Sequence, residues 1–84
     1  SVDSPPGNNV QVNITEGMNF DELADILYDK GVIENKFSFK IQAKFFEIRM
    51  HAGDYTFNTS QTTRQMLEMI DDGVLENNVN DNKS

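Results

Sequence analysis

The stretch NFDELADILYDKGV, residues 19–32, contains a complete helix with its own start and stop signals. Asn19 followed three residues later by Glu22 is a capping box: the Asn side chain accepts the Glu22 amide, and the Glu side chain reaches back to the Asn19 amide. Phe20, Leu23, Ala24 and Leu27 gather on one side at 100° per residue, with Asp21, Asp25 and Asp29 opposite. Gly31 is placed to take the left-handed conformation that ends a helix, and Val32 follows as its apolar neighbour. The spacing predicts a first helix over residues 20–30, with one face for a core and one for water.

Upstream, Val10, Val12 and Ile14 alternate with Gln11 and Asn13, the period of a strand with one buried face, and Glu16-Gly17 breaks that pattern. Downstream, Asn35 caps a second helix over residues 36–46. Phe37, Ile41 and Phe45 form one apolar lobe on it, Phe39, Ala43 and Phe46 another, and Lys36, Lys40 and Lys44 fill the arc between. A helix so patterned is expected at the centre of the core, with only the Lys strip in water. In IRMHAGDYTF, residues 48–57, strand-like segments flank Gly53, which predicts two short strands or a hairpin turning there. Thr62 with Gln65 repeats the capping box, and Met66, Leu67, Met69 and Ile70 form the apolar arc of a third helix ending at Asp72. Gly73-Val74 repeats the stop at Gly31-Val32, and the chain has no other internal repeat. The order is β-α-α-β-(β)-α, an α+β domain with a small antiparallel sheet covered by helices.

The ends differ in composition. Residues 1–9 (SVDSPPGNN) hold both prolines and predict a flexible linker, and residues 76–84 (ENNVNDNKS) predict a disordered tail. The ordered module is expected over residues 10–75. At 84 residues the chain allows one small domain, near the lower limit for a self-sufficient core, and excludes a large enzyme. With no Cys and one His, neither a disulfide framework, nor a thiolate nucleophile, nor a Cys or all-His metal site can be built. Seven Lys and Arg against fourteen Asp and Glu give a net charge of −7, whose mean field repels polyanions, so nucleic acid is not an expected partner. No apolar run approaches a membrane span and no signal-peptide core is present. The linker composition resembles the outer side of a cut after a membrane anchor, so any membrane contact is expected through an anchor outside this chain.

Candidate chemistry is sparse. A glycosidase-type acid pair needs one carboxyl with a raised pKa. Asp21, Asp25, Asp29, Asp71 and Asp72 fall instead on predicted solvent faces or helix ends, and Glu16 and Glu47 read as loop acids. His51 has no nucleophile in a recognised motif beside it and reads as structural or exposed. The glycines fall at turns and helix ends, with no phosphate-cradling loop. Lys36, Lys40 and Lys44, joined loosely by Arg49, form the one basic strip. It reads as a solvated face, as a surface for anionic wall polymer or lipid headgroups, or as a partner for the Asp21-Asp25-Asp29 stripe if the two helices lie side by side. Asn13 and Asn58 each begin a glycosylation sequon. No metal and no cofactor is expected, and a pyridoxal-phosphate pocket with its Schiff-base Lys is implausible at this length.

The succession of Ile14-Thr15-Glu16-Gly17, ELADILYDKGVIENKFSF (residues 22–39), HAGDYTF (residues 51–57) and TTRQMLEMIDDGV (residues 62–74) resembles the N-terminal LysM-like module of the YceG-like family. These are the membrane-anchored endolytic transglycosylases of bacterial cell walls. The resemblance covers residues 10–74 and implies a LysM-like β-α-α-β core with an additional C-terminal helix. In that family a separate, larger domain supplies the catalytic acid, so the resemblance implies a non-catalytic, extracytoplasmic module facing the wall. It also implies a shallow groove for N-acetylglucosamine-containing peptidoglycan between two loops. Here those are Glu16, Gly17, Met18, Asn19 and Phe20, and Glu47, Ile48, Arg49 and Met50. The expected role is to contact glycan strands and position an anchored protein or transglycosylase, with the module a monomer. Two alternatives remain: an envelope protein-interaction or spacer module without sugar binding, and a fragment of a lytic transglycosylase lacking its catalytic domain. The burial of Phe37, Ile41 and Phe45 bears on the interaction module, because uncovered apolar surface is its main support.

Overall fold

The computed structural model describes residues 7–73. Five elements follow one another: β1 (Asn9–Ile14), α1 (Phe20–Asp29), α2 (Lys36–Phe45), β2 (Gly53–Asn58) and α3 (Thr63–Asp72). The fold is α+β, three helices and a two-stranded antiparallel sheet. Asn9 pairs with Asn58 at one end of the sheet and Ile14 with Gly53 at the other. Alternation along each strand sends Val12, Ile14, Tyr55 and Phe57 into the core and leaves Gln11, Asn13 and Asp54 on the outer face. Tyr55 and Phe57 stack two residues apart at 5.7 Å. A two-stranded sheet is marginal alone, and the buried side chains of the helices supply its missing layer. These include Leu23 and Leu27 of α1, Phe39 of α2, and Met66, Leu67 and Ile70 of α3.

Both expected capping boxes are formed. Asn19 accepts the Glu22 amide at 2.8 Å and Thr62 accepts the Gln65 amide at 3.1 Å, each with the reciprocal bond. α1 ends one residue before the expected limit, with Lys30 as its cap. Gly31 then adopts φ +77°, and the amides of Gly31 and Val32 donate to Tyr28 and Leu27, a Schellman stop. Gly73 closes α3 in the same left-handed conformation. Its expected follower Val74, the disordered tail and the first six linker residues lie outside the described residues. The linker reading does not extend to Asn8 and Asn9: the Asn8 amide donates to Thr59 Oγ1 at 2.8 Å and β1 begins at Asn9.

Two expectations are overturned. Residues 48–52 contribute no strand, and β2 is a single strand that begins at Gly53 rather than a hairpin turning there. Ile48 is taken up by the helix stop of α2, its amide donating to Ala43 at 3.0 Å, and the Arg49 amide donates to Asp71 Oδ1 at 2.8 Å, so neither serves a sheet. Nor is α2 the centre of the core. It buries Phe39 and Ala43, while Phe37, Ile41 and Phe45 remain 68%, 49% and 76% exposed.

Candidate functional site

The loop after β1 is a turn in which the Met18 amide donates to the Thr15 carbonyl at 3.1 Å, with Gly17 at φ +83°. Glu16, Gly17 and Asn19 are exposed. Met18 and Phe20 are half-buried and pack on the core, Phe20 with its ring 6.1 Å from that of Phe39. Asn19 is committed to its capping box. The second expected loop divides in the same way: Glu47 and Arg49 are exposed, while Ile48 and Met50 pack against the core. The apolar members of both loops therefore anchor turns, and their polar members face solvent. Among the described residues no hydrogen bond or ion pair joins one loop to the other.

Glu47 has a feature the sequence pattern did not reveal. It occupies the left-handed position, φ +54°, where α1 and α3 use glycine. Its amide donates to Lys44 at 3.1 Å while that of Ile48 reaches Ala43, the same two bonds that close α1.

The basic strip pairs with the acidic stripe of α1. Lys36 Nζ lies 3.2 Å from Asp25 and Lys40 Nζ 3.0 Å from Asp21. Lys36 also sits 5.2 Å above the Tyr28 ring. Lys44 forms no ion pair among the described residues. Beside it runs the exposed line Phe37, Ile41 and Phe45, spaced at i, i+4 and i+8. α2 itself, KFSFKIQAKF, carries no acid. A cleft of about 200 Å³ lies where the end of α2 meets α3, lined by Phe46, Ile48, Arg64, Leu67, Glu68 and Asp71. There the Arg64 guanidinium stacks 4.3 Å from the Phe46 ring.

His51 is exposed, with Nδ1 3.0 Å from the Ile70 carbonyl, and its own carbonyl accepts from the Tyr55 hydroxyl at 2.7 Å. Burial raises the Tyr55 phenol above its ordinary pKa. Every described Asp and Glu is exposed except the half-buried Asp71. No group of three or more His, Asp or Glu among the described residues could hold a metal ion. No helix among them is long and apolar enough to cross a membrane.

A second cleft, of about 370 Å³, opens on the outer face of the sheet and is lined by Gln11, Val12, Asn13, Lys30 and Asp54. Reasoning from sequence missed it. The polar alternation of β1 marked Gln11 and Asn13 as outward, but only strand register brings Asp54 beside Asn13.

The YceG-like family model matches residues 12–83. The chain belongs to the YceG-like family. A solved structure to which it is similar is that of the "Putative yceG-like Protein lmo1499" from Listeria monocytogenes, at 26% identity and a TM-score of 0.75. The alignment covers 81% of this chain and 23% of that one, so this YceG-like chain spans less than a quarter of that protein's length. No curated protein matched.

Proposed function

We propose that this YceG-like chain is a non-catalytic, extracytoplasmic module that contacts peptidoglycan glycan and positions the protein carrying it on the wall. The observation that carries this reading is the family match over residues 12–83, on a chain whose described carboxylates are exposed apart from the half-buried Asp71. A glycosidic acid needs a desolvated carboxyl, whereas sugar contact needs exposed polar groups at turns and on flat faces. The two turns around Gly17 and Glu47 and the outer face of the sheet offer such groups. Sedimentation with purified sacculi tests the reading. Retention above that of an unrelated acidic domain of equal size is expected, and retention no greater than that control counts against it.

A second reading is favoured by the exposed line on α2. Phe37, Ile41 and Phe45, beside a Lys44 that forms no ion pair among the described residues, suit a protein surface that is apolar at its centre and acidic at its rim. A photo-crosslinking residue at position 45, compared with one at the exposed position 29, separates the cases. A single defined adduct from position 45 alone supports docking through α2; equal labelling from both positions argues against it.

A further inference from the structure

We propose that the cleft on the outer face of the sheet, between Gln11, Asn13, Lys30 and Asp54, is a subsite for a neutral, hydroxylated sugar. The inference rests on the glycan-contact reading and moves the contact away from the two turns.

Three polar atoms on the residues that line the cleft have no protein partner among the described residues. Asn13 donates its Nδ2 to Asp54 Oδ1 at 2.6 Å, which fixes both side chains across the strand pair and leaves Asp54 Oδ2 and Asn13 Oδ1 without a protein partner among the described residues. The Lys30 ammonium likewise has no ion-pair or hydrogen-bond partner among them. The cleft thus offers two acceptors held by one cross-strand bond, together with a cation carrying three donors. Vicinal hydroxyls meet such a set by donating to the oxygens and accepting from the ammonium. The acceptors sit on paired strands, so their spacing is set before a ligand arrives.

Charge and size narrow the class. One carboxylate and one ammonium cancel, so the cleft is locally neutral on a chain of net charge −7. A polyanion gains nothing there and meets the repulsion of the whole chain. An apolar ligand would leave Asp54 and Lys30 desolvated without partners. A volume of about 370 Å³ lies at the small end of ligand sites, suited to one or two sugar rings of a longer strand.

The test is an amide-correlation NMR titration of the 84-residue chain with two probes, an N-acetylglucosamine tetramer and a maltose-type tetramer lacking acetamido groups. Saturable shifts centred on residues 11, 13, 30 and 54 support the proposal. If only the first probe produces them, the acetamido group is also read; if both do, the hydroxyls suffice. Asp54→Ala and Lys30→Ala should each weaken binding about tenfold, with helical circular dichroism unchanged because both side chains are exposed. Shifts centred on residues 16–20 and 47–50, with Asp54→Ala binding normally, overturn the subsite and leave the glycan-contact reading intact. Retention on sacculi without shifts from either probe also overturns it. No shifts and no retention remove both.

Discussion

Replacing Glu47 by Gly should stabilise the domain, although it deletes a side chain. Glu47 holds φ +54° at the stop of α2, where a β-carbon crowds the adjoining carbonyl. The left-handed conformation costs an ordinary L-residue about 1–2 kcal/mol, a penalty glycine escapes. Against this, glycine enlarges the conformational freedom of the unfolded chain by about 0.4–1 kcal/mol. Removing a carboxylate from the negative end of the helix dipole adds back a few tenths, about 0.3 kcal/mol for so exposed a group. The sum is a gain of about 1 kcal/mol, which for a domain of this size corresponds to a rise of roughly 4–8 °C in Tm.

Urea unfolding followed by circular dichroism measures the change, with the slope of the transition checked for constancy so that the midpoint reports stability. Glu47→Ala is the control: it keeps the β-carbon, removes the charge, and should recover only the dipole fraction. A Gly variant no more stable than the parent refutes the backbone argument. An Ala variant as stable as the Gly variant refutes it too, because the effect would then belong to the charge.

Further outcomes follow from the same geometry. Because burial raises the Tyr55 pKa above 10.0, the folded chain holds the phenolic proton more tightly than the unfolded chain. That stability is complete below the unfolded value and is lost as pH climbs through the folded one, so alkaline unfolding should begin above about pH 10 and its pH slope should flatten in Tyr55→Phe. Thr62→Ala removes the acceptor of the Gln65 amide and should cost about 1 kcal/mol in urea unfolding. A double-mutant cycle on Lys40 and Asp21, 3.0 Å apart with side chains 40% and 75% exposed, should give a coupling of about 0.5 kcal/mol or less. That coupling should shrink further in 1 M salt, and one above 1 kcal/mol would contradict the solvent-screened geometry.

How much of this was legible in the sequence depends on how local each determinant is. α1 and α3 could be read almost to the residue, because cap, apolar arc and glycine stop all lie within about fifteen positions of one another. The stop of α2 uses the same two hydrogen bonds but places Glu47 where glycine is the usual signal, so only the backbone reveals it. Residues 48–51 imitate a strand, with Ile48 and Met50 alternating against Arg49 and His51. The alternation has a different cause: Ile48 completes a helix stop and Met50 packs on the core, while the Arg49 amide is bound by Asp71. The β1 ladder runs from Asn9 to Ile14 against Gly53 to Asn58 and does not include residues 48–51.

The misreading of α2 follows from size. Two apolar lobes on one helix predict contact all round only if the domain has enough layers to provide it. The described residues offer α2 one sheet and two other helices, and the helix buries Phe39 and Ala43 among them. Residues 37, 41 and 45 are therefore surplus to the core of the described residues, and burial within that core does not account for their apolar character. The sheet face presents the converse case. Its polar residues are what solvent exposure requires, so sequence pattern alone gives no reason to single them out. They draw attention only once register sets Asn13 against Asp54 and the end of α1 brings Lys30 to the same cleft. Of the two surfaces, α2 departs from what folding needs, and the sheet departs only in geometry. Crosslinking from position 45 and titration at position 54 therefore test separate properties of the module, and a positive result at one leaves the other open.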